Sequence, residues 1–227
     1  MRFWKESVWR HQTKGVFVEL HTALVDNPLL LPGIGASSPV RQVEISAGIV
    51  LPTLEKDELF SYLCVHGASS AWMRIKWIAD VAALLSGGNA AETERLYWRS
   101  IALGAGRASA QALLLCETLF ETPLPPALSA GLRAQPVNRS LHRAAMAAMA
   151  GRNEEREADE RLLGTVPIHL MQFFLSAGWR YKVAELRRQA TSPYDRATLS
   201  LPRYLHFLYP LLLVPRWLIR RSGRTAA

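Results

Sequence analysis

The spacing of apolar and polar positions changes once along the chain. Up to residue 52 it is strand-like. In Gly15-Val-Phe-Val-Glu-Leu-His21, the residues Val16, Val18 and Leu20 alternate with Phe17, Glu19 and His21, so each set lines one strand face. Asn27–Val40 holds Pro28, Pro32, Gly33, Gly35 and Pro39 and reads as a loop, and a second strand-like run, Val43–Leu51, ends at Pro52.

From Thr53 the period becomes helical. Thr53 is an N-cap candidate, with Asp57 and Glu58 in the first turn where the helix dipole favours acidic groups. Leu59, Tyr62, Leu63 and His66 then fall on one helical face. After Gly67-Ala-Ser-Ser70 a second helix is expected over Ala71–Leu85, closed by Gly87-Gly88. Further helical patterns cover 92–120, 137–150, 154–163 and 167–189, with breaks at Pro123–Pro126, Gly151 and Pro167. The expected fold is α+β and mainly α: a short antiparallel β element over 1–52, a helical bundle domain over 53–190, and a Pro-interrupted tail over 191–227.

Composition adds that the 227 residues are 49% hydrophobic, enough for a real core and too apolar for a disordered chain. The net charge of +8 is local. Residues 1–179 balance 17 basic against 17 acidic side chains, whereas 180–227 carry ten basic residues against Glu185 and Asp195. A basic tail behind a neutral body implies a local anionic contact. Cys64 and Cys116 lie in separate apolar helical patterns and build neither a disulfide framework nor a zinc site, which points to a reducing cytosol. Met1–Arg10 has no apolar segment or small-residue cleavage site, so no signal peptide is expected, and no run of 18 apolar residues marks a membrane span.

No HExxH, GxGxxG, Walker-type GK[ST], GxSxG or CxxC motif occurs, and no His-Asp pair is adjacent. The mixed-sign stretch Asn153–Glu160 reads as a solvated helix face. Two other places can carry chemistry. Glu19 is a carboxylate in mid-strand, which must face solvent, a partner or a metal. His21 projects from the same face about 7 Å further along. From periodicity alone, an edge strand with one polar face is the plainer reading of the pair. The second place is His66 to Asp80, where Trp72, Arg74, Lys76, Trp77 and Asp80 are crowded into nine residues. Lys76 and Asp80 are spaced to pair across one helical turn. The plainer reading makes Trp72 and Trp77 core anchors, His66 an interior histidine, and Lys76–Asp80 an ordinary helix pair.

These residues carry a resemblance. Val18-Glu19-Leu20-His21, Tyr62-Leu63-Cys64-Val65-His66-Gly67, and Trp72-x-Arg74-Ile75-Lys76-Trp77-x-x-Asp80 resemble the uncharacterised bacterial nucleotidyltransferases of the DNA polymerase β-like superfamily. Ser192-Pro-Tyr-Asp195 and Leu201-Pro-Arg-Tyr-Leu205 resemble that family's closing segment. The resemblance implies that residues 1–52 are part of a nucleotidyltransferase sheet and 53–190 a substrate-side helical domain. It also implies transfer of a nucleoside monophosphate from an NTP to an acceptor, with Mg²⁺ and NTP as cofactors. Glu19 would be a metal ligand or orienting carboxylate and His21 a phosphate or supporting contact, both in catalytic positions. His66, Arg74, Lys76 and Asp80 would line the substrate face.

The family pattern also has a Lys-Gly segment and an Asp-x-Asp strand ahead of the Glu-Leu-His strand, and this sequence contains no Asp-x-Asp. Two metal ions clamping a triphosphate need more negative charge than one glutamate supplies. The expectation is a truncated chain, inactive alone and binding no Mg²⁺ or NTP tightly, unless a separate polypeptide brings the missing half. The alternative is a non-catalytic adaptor at an anionic membrane surface. There Tyr204, Tyr209 and Trp217 would suit the interfacial layer, and Arg216, Arg220, Arg221 and Arg224 the headgroups. The location expected is the cytoplasm; the adaptor alternative adds docking at the inner membrane face. Nucleic acid is the weaker anionic partner, because the tail has neither a helix-turn-helix nor a stacked-aromatic pattern.

Overall fold

The structure, a computed structural model, describes residues 6–150, 166–190 and 202. It is α+β and mainly helical, as the periodicity indicates. Strand β1 (Glu6–Arg10) pairs antiparallel with β2 (Phe17–His21), placing Val8 opposite Glu19 and Trp9 opposite Val18. Strand β3 (Val40–Ser46) pairs antiparallel with β4 (Ile49–Leu54). The two sheets are separate, with two strands each.

The run Val43–Leu51 is therefore a hairpin and not one strand. It folds back at Ala47-Gly48, where Gly48 has φ +74°, a conformation that residues with a Cβ rarely adopt. Pro52 does not end the strand. It lies within β4 opposite Gln42, tolerated because a two-stranded sheet consists entirely of edges. Thr53 is likewise not the helix cap: it pairs with Arg41 in the sheet, and Glu55 occupies the N-cap position without a side-chain bond.

Eight helices are described: α1 (Lys56–Ser69), α2 (Ile75–Ser86), α3 (Ala90–Ala102), α4 (Ala108–Phe120), α5 (Pro126–Ala134), α6 (Pro136–Met149), α7 (Val166–Gln172) and α8 (Trp179–Ala190). Helix α2 starts four residues later than the sequence pattern implies, because Ala71 and Trp72 adopt φ +51° and +56° and turn the chain between α1 and α2. The pattern over 92–120 is two helices, split at Gly104-Ala105-Gly106, where both glycines have positive φ. A Cβ at Gly104 would meet Pro32 Cδ at 2.6 Å, and one at Gly106 would meet the Leu175 carbonyl oxygen at 2.3 Å. The pattern over 167–189 is also two helices, with Leu175–Gly178 between them outside any helix. Helix α5 is absent from the sequence reading; like α6 it begins on a proline at its first position, where the missing N–H costs nothing.

Helix α4 is the centre of the bundle. Every residue from Ala108 to Cys116 is buried, and α1, α2, α3, α5 and α6 all pack on it. Nine consecutive buried residues leave this stretch no solvent-facing side, as fits such a core position. Around it lie Phe60, Cys64 and Val65 of α1, Ile78 and Val81 of α2, Leu96 of α3 and Leu141 of α6, all almost wholly buried. Each large apolar side chain so placed stabilises by about 2 kcal/mol relative to exposure. The loop before β3 joins this core through Leu30 and Leu31, and the Leu31 N–H donates to the Gly104 carbonyl at 3.3 Å.

The hairpins differ sharply from the helices. All five residues of β2 are exposed, and Trp9 and Phe17 are 66% and 61% accessible. Among the described residues, no helix is long and apolar enough to cross a membrane. The helical pattern at 154–163, the acidic stretch Asn153–Glu160, and the tail residues Arg216, Trp217, Arg220 and Arg221 lie outside the described residues.

Candidate functional site

Strand alternation sets Glu19 and His21 on one face of β2, and their side chains meet: His21 Nε2 lies 3.7 Å from Glu19 Oε2. The Glu19 side chain is 61% accessible. It is thus an open carboxylate beside an imidazole, on a strand whose neighbours Val18 and Leu20 are also exposed.

The second group of residues gathers at the α1–α2 corner. His66 stands in the last turn of α1, and its ring meets Trp77 edge-on with centroids 5.2 Å apart and Tyr62 at 5.7 Å. Arg74, the residue capping α2, places its guanidinium 5.7 Å from the Trp77 ring centre. Tyr62, His66, Trp77 and Arg74 therefore form one continuous contact chain of rings and a cation, of a kind worth about 1 kcal/mol per contact. Trp77 is half-buried, whereas Trp72 is fully buried and a true core anchor. Lys76 and Asp80 are exposed on α2, and the ion pairs among the described residues do not join them. Of the four substrate-face residues read from the sequence, the structure unites His66 with Arg74 and leaves Lys76 and Asp80 apart from the rings.

Two polar assemblies were invisible in the sequence pattern. The first is at the start of α1, where Arg95 of α3 holds Asp57 with two hydrogen bonds of 2.8 Å and Lys56 reaches Glu92 at 2.6 Å. The bond from Arg95 holds the Asp57 carboxyl below the usual range. The second centres on Glu185 of α8, which is only 1% accessible. Asn27 Nδ2, Arg188 and Gln189 Nε2 all donate to its carboxylate. Burial pushes Glu185 upward, but these donors and the Arg188 charge outweigh it and leave the carboxyl below its ordinary value. Gln172 extends the network, accepting from Arg188 through its side chain and from the Tyr181 hydroxyl through its carbonyl at 2.7 Å. Asn27 belongs to the loop that follows β2, so this network ties that loop to the last described helix.

An open cavity of about 460 Å³ lies among the C-terminal end of α2, the start of α3 and the end of α4, lined by Ala82, Ser86, Asn89, Thr93, Phe120 and Glu121 among others. None of the candidate site residues Glu19, His21, His66, Arg74, Lys76 and Asp80 lines it. Among the described residues no group of three or more His, Cys, Asp or Glu side chains is placed to hold a metal ion. Glu19 with His21 offers one carboxylate and one imidazole, which does not fit a two-magnesium site by itself.

Residues 4–121 match the family model described as an uncharacterised nucleotidyltransferase. No curated protein and no solved structure matches the chain. The match spans more than half the sequence and includes β1–β4, α1–α4 and the whole Glu19 and His66–Asp80 regions. The chain belongs to this nucleotidyltransferase family.

Proposed function

We propose that the chain serves in transfer of a nucleoside monophosphate from a nucleoside triphosphate to an acceptor, as the substrate-side part of a polymerase β-like nucleotidyltransferase. In this reading Glu19 is the third carboxylate of the metal site, and a separate polypeptide supplies the Asp-x-Asp strand. The observation that carries the reading is the state of the β1–β2 hairpin within the family-matched segment. It holds Glu19 and His21 side by side on a sheet of two strands, with Trp9 and Phe17 exposed. Two strands alone are marginal in water, and open edges with apolar faces are what added strands cover. A catalytic sheet completed from outside would bring further carboxylates beside Glu19. His66 and Arg74, held on the Trp77 ring, are the groups proposed to meet the nucleotide or acceptor. Lys76 and Asp80 are proposed as outer contacts on the same helix.

The test is transfer of label from [α-³²P]NTPs in the presence of Mg²⁺. The purified chain is compared with the chain supplemented by extract from its own cells. Transfer is expected only in the supplemented reaction and is expected to fall at least about a hundredfold with Glu19→Gln, since loss of a metal-bound carboxylate removes charge stabilisation in the transition state. Transfer by the purified chain alone removes the need for a second polypeptide, and unchanged transfer by Glu19→Gln removes Glu19 from the metal site.

A further inference from the structure

Between Glu121 and Glu154 the sequence has no acidic residue, but it carries Arg133, Arg139, Arg143 and Arg152 together with His142. The fold brings three of these arginines and the histidine around one open cavity of about 380 Å³, closed on the inner side by the buried Leu114 of α4. Arg139, His142 and Arg143 share one face of α6, being spaced by three and four residues. Arg133 comes from the last turn of α5, and the Arg139 Nη1 group donates to its carbonyl at 2.9 Å, which fixes the two arginines relative to each other.

The carboxylate beside this cavity is Glu117 of α4. It already accepts from Arg133 Nη2 at 2.6 Å and from Ser129 Oγ at 2.8 and 3.0 Å. Among the described residues no carboxylate pairs with Arg139 or Arg143, whereas Arg133 has its partner in Glu117. His142 is fixed by Thr118 Oγ1 at 3.1 Å from its Nε2. Burial and the charges of Arg133 and Arg143 hold its imidazole below the ordinary range against the opposing pull of Glu117.

We infer that the α5–α6 cleft is a binding site for a small phosphate-bearing anion, a phosphomonoester or a diphosphate. Guanidinium groups present paired N–H donors that match phosphate oxygens, and two or more of them around one concavity recognise that geometry as lysines do not. The volume suits a small molecule, and Leu114 gives it an apolar wall. The cleft lies C-terminal to the family-matched segment, and the inference is independent of the nucleotidyl-transfer reading.

The experiment is calorimetric titration of the full chain with inorganic pyrophosphate and, separately, with orthophosphate at fixed ionic strength. Binding of one pyrophosphate per chain is expected, with weaker orthophosphate binding if the site takes a diphosphate and equal binding if it takes a phosphomonoester. Arg139→Ala/Arg143→Ala is expected to weaken binding at least about tenfold, and Arg143→Lys, which keeps the charge and loses the fork, by less. Arg41→Ala, on exposed β3, is expected to leave binding unchanged, and circular dichroism melting checks that each variant is folded. Absence of binding, or equal binding by folded Arg143→Lys and Arg139→Ala/Arg143→Ala variants and the parent chain, overturns the inference. A single-stranded oligonucleotide that binds through these arginines while pyrophosphate does not overturns the small-ligand assignment.

Discussion

The indole of Trp72 lies so close to Gly67 that a Cβ on residue 67 would stand 2.1 Å from the ring carbon Cζ3. The backbone holds the two together as well, since the Trp72 N–H donates to the Gly67 carbonyl at 2.9 Å. The turn that joins α1 to α2 is thus built on a glycine without which the buried indole has no room. Gly67→Ala is expected to destabilise by about 3 kcal/mol through overpacking against a rigid ring, and Trp72→Ala by about 4 kcal/mol through the cavity left behind. Urea denaturation at neutral pH measures both. A near-neutral Gly67→Ala would show that the ring can move aside.

The Glu185 network makes a pH-dependent contribution. The folded carboxyl lies below its ordinary value, so its stabilisation is fully present above the ordinary carboxylate range and is lost as pH falls through the depressed folded value. Glu185→Gln leaves the largely buried Arg188 guanidinium without its closest counter-charge and is expected to cost about 3 kcal/mol at neutral pH. The gap between parent and variant urea midpoints should close in acid. A gap that persists unchanged to pH 3 would assign the cost to shape and not to charge.

Both thiols should be silent in the native protein. Cys64 and Cys116 are free and fully buried on α1 and α4. Burial pushes the Cys116 thiol up to about 12, and burial, with Cys116 as a lesser cause, raises Cys64 well above the ordinary range. Ellman's reagent at pH 8 is expected to find no fast-reacting thiol until denaturant is added, and then the two the sequence contains. Rapid reaction in buffer would contradict the packing of α1 on α4.

The basic apolar tail yields a prediction from composition. Trp217 with Arg216, Arg220 and Arg221 suits an anionic interface, each basic residue near the surface adding about 1 kcal/mol. Liposome flotation with phosphatidylserine vesicles should recover the full chain and lose a version ending at Leu201. Equal recovery of both would take the tail out of membrane contact.

The legible parts of the fold were those fixed by neighbours in the chain. Alternation around Glu19 located β2 and its shared face with His21, and the helical period located α1, α2 and most of the bundle. The misread boundaries share one cause. Thr53, Ala71 and the 92–120 run were read from local propensity. Their outcome depended on pairing with Arg41, on the seat Trp72 takes at Gly67, and on the close approach of Pro32 and Leu175 to Gly104 and Gly106. Helix α5 has no local signature, because Pro123, Pro125 and Pro126 together look like a loop, although a proline in first position starts a helix well.

By itself, then, the sequence determined that this is a mainly helical α+β chain, and which residues face together along each element. Those properties follow from periodicity and motif spacing, which operate over a few residues. Only the tertiary structure decided that His66 and Arg74 meet on Trp77 while Lys76 and Asp80 stay apart, that Asn27 reaches Glu185, and that Arg133, Arg139, His142 and Arg143 ring one cavity. These contacts depend on how whole elements pack together, a condition that no single stretch of the sequence records.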